Sequence, residues 1–177
     1  QLLQSLLVGS TLCLYEINFY PDFFKFFKKK KITIIPLMPV IISLLTSNIH
    51  KVSKKFMNNK IKYICTSGGA VSKKMIIILN KIFNKSKIYL MYGLTEAFRS
   101  SFLDPKKVLK KHFSIGKAIP KVKLNILRKD YSECSTGEIG ELVHRGGCIS
   151  SRYWRDKKSS RQRFRKISRF PGEITVF

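Results

Sequence analysis

The chain has 177 residues, 44% of them hydrophobic, which is enough apolar material for one globular domain with a packed core and excludes a chain that is disordered throughout. Its formal net charge is +25, a surface charge that attracts polyanions whatever the fold. The most apolar stretch, residues 32–45, is broken by Pro36 and Pro39, which argues against a membrane span.

Residues 1–120 alternate β-rich runs with amphipathic segments, a pattern typical of βα units and a largely parallel sheet. The predicted strands are residues 11–15, 32–35, 62–66 and 87–92. One predicted helix covers residues 21–27, and a second covers residues 73–83 with Ser72 as its N-cap. The second helix carries an apolar face that we expect to pack on the sheet, made of Met75, Ile78, Leu79, Ile82 and Phe83.

The pattern changes after Pro120. Residues 122–127 and 138–144 are predicted strands, separated by the turn-prone residues 132–137. Residues 150–169 are polar and strongly basic, which is typical of a surface helix or loop. The predicted fold class is therefore α/β, with an α/β subdomain over residues 1–120 and part of a smaller β-rich subdomain over residues 121–177.

The cysteines indicate a reducing compartment. Cys13, Cys65, Cys134 and Cys148 lie far apart, with no CxxC pair and no histidine at ligand spacing. This spacing predicts neither a zinc site nor a disulfide framework. Because the N-terminus also lacks the features of a signal peptide, we expect a cytoplasmic protein.

The first candidate ligand loop follows the strand 62–66 and precedes the capped helix. Its sequence is Thr66, Ser67, Gly68, Gly69, Ala70. Paired glycines let a flat or anionic ligand approach the backbone closely, and a helix N-terminus favours negative charge. A plain tight βα connection would have the same sequence features, so both interpretations stay open at this point.

A second candidate loop follows the strand 87–92. Tyr92 can stack on a purine, Gly93 permits close approach, Thr95 can donate to a phosphate oxygen and Glu96 can hold Mg²⁺. Ligands of open parallel sheets lie beyond the carboxyl ends of the strands, so the two loops would converge on one crevice. The alternative is that the Thr-Glu pair simply caps a helix.

Four segments carry a resemblance to a known family. Residues 92–96, Tyr-Gly-Leu-Thr-Glu, resemble the YGxTE motif of the adenylate-forming superfamily, and residues 67–70 resemble its SGGA loop. Residues 114–120 are similar to its "vGxpxP" turn, and residues 137–154 to its "GExGEl…rG…gYw" segment. They follow the family's order and approximate spacing over most of the chain, and the AMP-forming acyl-CoA synthetases are the nearest branch.

The resemblance implies an enzyme that activates a carboxylic acid with MgATP to an acyl-adenylate and transfers the acyl group to CoA. Thr95 and Glu96 would be catalytic, with Glu96 as the Mg²⁺ ligand. The expected cofactor-binding residues are Ser67, Gly68, Gly69, Ala70, Tyr92, Gly93, Leu94, Thr95 and Gly116, the last of them near the acyl pocket. Tyr153 and Trp154 would be structural. The implied partners are ATP, CoA and a small carboxylic acid, with no specific nucleic acid and no membrane span.

Parts of the family's active site are not found in this sequence: the phosphate loop, the ribose-binding Asp and the catalytic Lys. We therefore expect an internal fragment of the large domain that does not form acyl-adenylate alone. One alternative is a truncated or decayed family member that is inert or binds a nucleotide weakly. Another is a basic nucleic-acid-binding module in which Tyr153 and Trp154 stack on bases. His50, His112 and His144 have no carboxylate or Cys partner at a telling spacing, so we interpret them as structural or surface residues.

The basic surface generates a prediction. Binding of DNA or RNA should be independent of sequence and should weaken steeply with salt, because Lys and Arg contribute mainly phosphate contacts. Titrations of two labelled duplexes of unrelated sequence, each at about 50 and 200 mM salt, test this. A sequence preference that survives at the higher salt would favour the nucleic-acid-binding module.

Overall fold

The computed structural model describes residues 2–15, 25–27, 29–47 and 60–177. Five strands form the first sheet in the order β1-β2-β3-β4-β5. They are β1 (Ile34–Pro36), β2 (Tyr63–Thr66), β3 (Lys87–Tyr92), β4 (Ser101–Leu103) and β5 (Lys117–Ala118). β1, β2 and β3 are parallel, whereas β4 and β5 continue the sheet antiparallel. The α/β class with a parallel core is confirmed.

The pairing of β2 with β3 determines where their loops lie. Tyr63 is the register partner of Lys87, and Thr66 is the partner of Leu90. Both strands therefore end at the same edge of the sheet, and the two candidate loops start side by side there. This confirms the expected neighbourhood of the loops that follow β2 and β3.

Helices α2 (Pro39–Ser47) and α3 (Lys73–Ile82) pack on the first sheet. The chain also contains α1 (Leu2–Leu7), which has no buried residue, and α4 (Val108–Lys111), which follows a 3-10 turn, Pro105–Lys107. Ser72 caps α3 as predicted, because its Oγ accepts a hydrogen bond of 3.3 Å from the Met75 amide. No helix within the described ranges is long and apolar enough to cross a membrane.

The core lies between the sheet and α2 and α3. Ile64 of β2, Ile42 of α2 and Leu79 of α3 are all fully buried. The predicted apolar face of α3 is nearly right, but Ile76 is buried where Met75 and Ile78 are only half-buried. Burial of these aliphatic side chains supplies the main stabilisation of this layer, at roughly 1.5–3 kcal/mol per side chain.

A second, antiparallel sheet follows, with the strand order β6-β7-β9-β8. It contains β6 (Val122–Leu127), β7 (Glu141–Gly146), β8 (Phe164–Arg165) and β9 (Thr175–Val176), and α5 (Lys157–Arg163) precedes β8. β6 has the predicted bounds, and the basic segment does include a surface helix. The division of the chain at residue 120 stays a prediction, because the existence of two sheets does not decide whether each folds alone.

Several predicted elements differ in the structure. Residues 11–15 are not a strand, and Leu14 in this segment is 84% exposed. The strand predicted at 32–35 is Ile34–Pro36. The strand predicted at 138–144 starts at Glu141, because Glu138 closes a turn with Ser135 and pairs with Arg128. Of the helix predicted at 21–27, residues 25–27 are helical and residues 21–24 lie outside the described ranges. The prediction missed β4 and β5.

A buried histidine connects the two sheets. His144 of β7 is 0% exposed, and its Nδ1 lies 2.7 Å from Ser100 Oγ. The Ser100 hydroxyl also lies within hydrogen-bond distance of the Ala97 carbonyl oxygen, at 3.1 Å. The imidazole also packs on the Tyr92 ring, with centroids 5.6 Å apart. Burial lowers the pKa of His144, so the neutral ring is favoured.

Two glycines provide a test of the packing around β5. Gly116 (φ +82°) and Gly137 (φ +89°) both have backbone conformations that favour glycine. A Cβ at Gly116 would lie 2.0 Å from the Phe102 carbonyl oxygen, whereas one at Gly137 would meet nothing within 4 Å.

We expect Gly137→Ala to cost about 1–2 kcal/mol of unfolding free energy from left-handed strain alone. Gly116→Ala should cost more than about 4 kcal/mol or prevent folding. Urea denaturation measures both, and equal losses would show that contact with the Phe102 carbonyl is not the cause.

His144 provides a test by pH. Its folded-state pKa is below the unfolded value, so the unfolded chain binds a proton more readily. The stabilisation from the neutral ring is full above about pH 6.5 and is lost as pH falls through the folded pKa. The unfolding free energy should therefore decline between pH 7.5 and 5.5 in the native chain, and less so in His144→Leu. Urea titrations at four pH values measure this decline. Equal declines in the two proteins would contradict the assignment, and the carboxylate-driven loss at lower pH serves as an internal control.

Candidate active site

The loop after β2 is open to solvent. Gly68, Gly69 and Ala70 are exposed, and Ser67 is half-buried. Gly68 has φ +89°, and a Cβ there would meet nothing within 4 Å, so its glycine serves backbone conformation and leaves room in front of the loop. Behind the loop, a Cβ at Gly69 would lie 3.3 Å from Pro39 Cγ. The loop thus has a packed rear side and an accessible front.

The loop after β3 is a tight turn of the backbone on itself. The amide of Leu94 donates to the Ala97 carbonyl over 3.0 Å, and the amide of Ala97 donates back over 3.3 Å. A Cβ at Gly93 would lie 2.4 Å from the Arg99 amide nitrogen, so this turn requires glycine without any ligand. The chain then returns as antiparallel β4. The helix-capping interpretation of the Thr-Glu pair is wrong, because no helix follows it.

The same reasoning applies to Gly116, at the entry to β5. The Phe102 carbonyl fills the space that a side chain would need, so sheet packing explains this glycine. Gly116 lies two strands away from β3 in the sheet order. Its predicted place beside an acyl pocket stays a prediction.

Tyr92 and Thr95 occupy different environments in the second loop. Tyr92 is half-buried, and its ring is fixed by the buried His144 imidazole. Thr95 is exposed, so its hydroxyl is available to a solute at the edge of the sheet. The loop thus carries a partly buried aromatic ring and an exposed hydroxyl group.

Glu96 is held at both its backbone and its side chain. Its carbonyl accepts a hydrogen bond of 2.8 Å from the Ser150 amide, and the next residue, Ala97, forms a bridge with Ile149. The phenol of Tyr153 donates to Glu96 Oε1. This hydrogen bond, with a smaller contribution from the positive charge of Arg163, lowers the pKa of Glu96. The carboxylate is thus ionised at neutral pH.

An ionised carboxylate fits Mg²⁺, which prefers oxygen ligands and commonly uses one or two carboxylates together with phosphate oxygens and water. In the part of the chain that the structure describes, no group of three or more His, Cys, Asp or Glu could hold a metal ion. An Mg²⁺ ion at Glu96 would therefore take its other ligands from a bound phosphate and from water. This donor set suits a cation that arrives with a nucleotide.

A surface cavity of about 320 Å³ lies elsewhere. Its lining includes Ser86, Lys87 and Tyr89 from the start of β3, and Asp104 and Lys106. The candidate loops follow the carboxyl ends of β2 and β3, whereas the cavity lies at the start of β3. A strand of six residues separates its two ends by roughly 17 Å. The cavity is therefore separate from the edge where Glu96 lies.

Sequence reasoning misses the roles of two residues at this edge. The resemblance implies only a structural role for Tyr153, and its distance of 57 positions from Glu96 gives no local signal of their contact. His144 is equally inconspicuous in the sequence, because β7 buries three consecutive residues, Val143, His144 and Arg145, and has no alternation that would mark an inward-facing side chain. Both lie in residues 122–177, the part of the chain that contains the second sheet and is called the second sheet region below. Only tertiary structure therefore brings them to the loop after β3.

Comparison with known proteins gives a consistent result. A family model described as AMP-binding enzyme matches residues 1–154. Gramicidin S synthase 1 from Brevibacillus brevis is 25% identical over 178 residues, covering 98% of this chain and 15% of that protein. The probable CoA ligase CCL5 from Humulus lupulus is 23% identical over 154 residues, covering 86% of this chain and 28% of that protein.

A solved structure shows the same fold. The o-succinylbenzoate CoA synthetase (MenE) from Bacillus subtilis, in complex with the acyl-adenylate intermediate OSB-AMP, superposes with a TM-score of 0.78 at 20% identity. The match covers 98% of this chain and 33% of that chain, so the 177 residues span about a third of its length. With the family model matched over most of its residues, the chain belongs to the AMP-binding family of adenylate-forming enzymes.

Proposed function

We propose that the edge formed by the loops after β2 and β3 binds the adenine nucleotide of an ATP-dependent acid-thiol ligase. The observation that carries this proposal is the ionised Glu96, which lies one strand away from the open Gly68 loop. A cation site and an accessible glycine backbone at one sheet edge are what a magnesium-bound nucleotide requires. The overall activity, namely activation of a carboxylic acid and transfer of the acyl group to CoA, is part of the same proposal.

The loops have complementary roles in nucleotide binding. The exposed residues Gly68, Gly69 and Ala70 offer backbone without large side chains, with Ser67 at their start, so the adenosine can lie against them. The Tyr92 ring, fixed by His144, offers an aromatic surface for adenine. Leu94 keeps the loop closed through its hydrogen bonds with Ala97, and Gly93 allows that closure.

Thr95 and Glu96 would stabilise the negative charge that develops on the phosphate oxygens of ATP. When an acid attacks the α-phosphorus of ATP, negative charge develops on the phosphate oxygens, and donors or cations fixed in advance lower that barrier. The Thr95 hydroxyl is exposed and can donate to the α-phosphate. Bound Mg²⁺ would neutralise part of the phosphate charge. Glu96 would hold that cation with a carboxylate that is already ionised.

The relatives guide the choice of acceptor. CCL5 is a probable CoA ligase, whereas the relative from Brevibacillus brevis is a gramicidin S synthase. CoA is the proposed acceptor, on the basis of the acyl-CoA synthetase resemblance and the CoA ligase among the relatives. The net charge of +25 would also favour the approach of the polyanions ATP and CoA.

Glu96→Gln tests the proposed cation site. The amide keeps the size of the side chain and can still accept from Tyr153, so folding should be retained, but it supplies no negative charge. We expect MgATP to bind the 177-residue chain about tenfold more weakly or worse, while AMP without Mg²⁺ binds unchanged. Calorimetric titrations of both ligands measure this.

Glu141→Gln is the matched control, because Glu141 is an exposed glutamate at the start of β7. It should leave both affinities unchanged. If Glu96→Gln bound MgATP as tightly as the control, Glu96 would be removed from the metal site. If neither nucleotide bound to the native chain, the proposed crevice would be refuted.

A further inference from the structure

We propose that Tyr153 is a positioning residue that holds the Glu96 carboxylate in one orientation for the magnesium ion of the nucleotide. The inference rests on the proposed function, because it assumes that Glu96 binds the cation. It goes further in assigning a role to a side chain from the second sheet region. Its basis is the hydrogen bond from the Tyr153 phenol to Glu96 Oε1.

Tyr153 is itself fixed by its surroundings. Its amide donates to Ser160 Oγ over 2.9 Å, and the Ser160 hydroxyl donates to the Asp156 carbonyl over 2.5 Å. The Tyr153 ring packs edge-on against Phe164, with centroids 5.2 Å apart. Asp156 caps α5 by accepting from the Ser159 amide over 2.9 Å. The phenol is therefore presented by an ordered segment, which we call the tyrosine platform (residues 149–164).

The tyrosine platform also holds the backbone of the Glu96 loop. The Ser150 amide donates to the Glu96 carbonyl over 2.8 Å, and Ile149 forms a bridge with Ala97. One segment of the chain thus fixes both the main chain and the side chain of Glu96. A contact between two freely rotating surface side chains would lack this double attachment.

A phenol suits this role chemically. An ionised carboxylate has two oxygens with about four acceptor positions, so one hydrogen bond leaves the others for a cation and its water. Tyr153 is uncharged, so it orients the carboxylate without cancelling the charge that attracts Mg²⁺. A lysine or arginine ion pair in its place would orient Glu96 but compete with the cation.

The charged groups around the pair act in both directions, because Arg163 lowers the pKa of Tyr153 as well as that of Glu96. The Glu96 carboxylate raises the pKa of Tyr153, so the phenol keeps the hydrogen that it donates. Arg163 on α5 helps to lower the pKa of Glu96, and Asp156 raises that of Tyr153 slightly. The largest contribution for each partner is their mutual hydrogen bond.

Carboxyl ¹³C NMR of the 177-residue chain tests the contact without any ligand. The chain contains six glutamates, so ¹³C-glutamate labelling gives a small set of signals, and Glu96→Gln identifies the signal of Glu96. We expect Tyr153→Phe to raise the pKa of Glu96. The control Tyr131→Phe, which alters a tyrosine packed on Phe177, should leave it unchanged. This shift would establish the hydrogen bond in solution, and nucleotide binding then tests what the bond does for the cation.

Calorimetric binding of MgATP tests the consequence. Tyr153→Phe should weaken binding about 10–100-fold at pH 7, the usual effect of losing a partner of a metal ligand. AMP binding without Mg²⁺ should be unchanged. Tyr131→Phe should behave as the native chain throughout.

The outcomes separate the two proposals. If Glu96→Gln loses MgATP affinity but Tyr153→Phe matches Tyr131→Phe, the positioning role is refuted and the cation site stands. If Glu96→Gln itself has no effect, the proposed cation site fails and the positioning role fails with it. An unchanged Glu96 titration in Tyr153→Phe would refute the contact directly.

Discussion

The tight turn after β3 is the constraint on which the candidate site depends. Its hydrogen bonds between Leu94 and Ala97 and the absence of a side chain at Gly93 place Glu96 at the sheet edge. A turn this short could adopt other conformations in isolation, and contacts from two directions select this one. Ser100 and His144 hold its end, and the tyrosine platform holds its middle. The chemistry of the loop is thus a property of both sheets together.

Short-range sequence patterns correctly predict several strands and a helix cap. The bounds of β3 and β6, the N-cap at Ser72 and the neighbouring ends of β2 and β3 all follow from short-range patterns. Residues 11–15 show where such patterns fail to predict a strand. An apolar, β-rich run becomes a strand only where a neighbouring strand pairs with it, and residues 11–15 are not a strand. β4 and β5, with three and two residues, are too short for a periodic signal.

For the candidate site, too, the sequence predicts only a part, namely the position of the two loops. The residue types of the two loops point to one sheet edge, and the structure brings Gly68 and Glu96 to adjacent strand ends. The sequence does not show why each residue type is required at its position. Gly93 and Gly116 are required by nearby backbone, a steric fact that appears only when Arg99 and Phe102 are in place. The partner of Glu96, 57 positions away, depends on tertiary structure in the same way.

The attachment of the Glu96 loop to the tyrosine platform links ligand binding to folding. A nucleotide that binds only when Glu96 is in place stabilises every element needed to keep it there, by an amount set by ligand concentration and affinity. Those elements include α5, whose cap orders the platform, and β7, which supplies His144. Local unfolding of this region would therefore lower the apparent affinity of the crevice for the nucleotide, even if the loop with Gly68 and Gly69 stayed folded. Under the proposed function, nucleotide binding and the folding of the second sheet region would therefore be thermodynamically coupled.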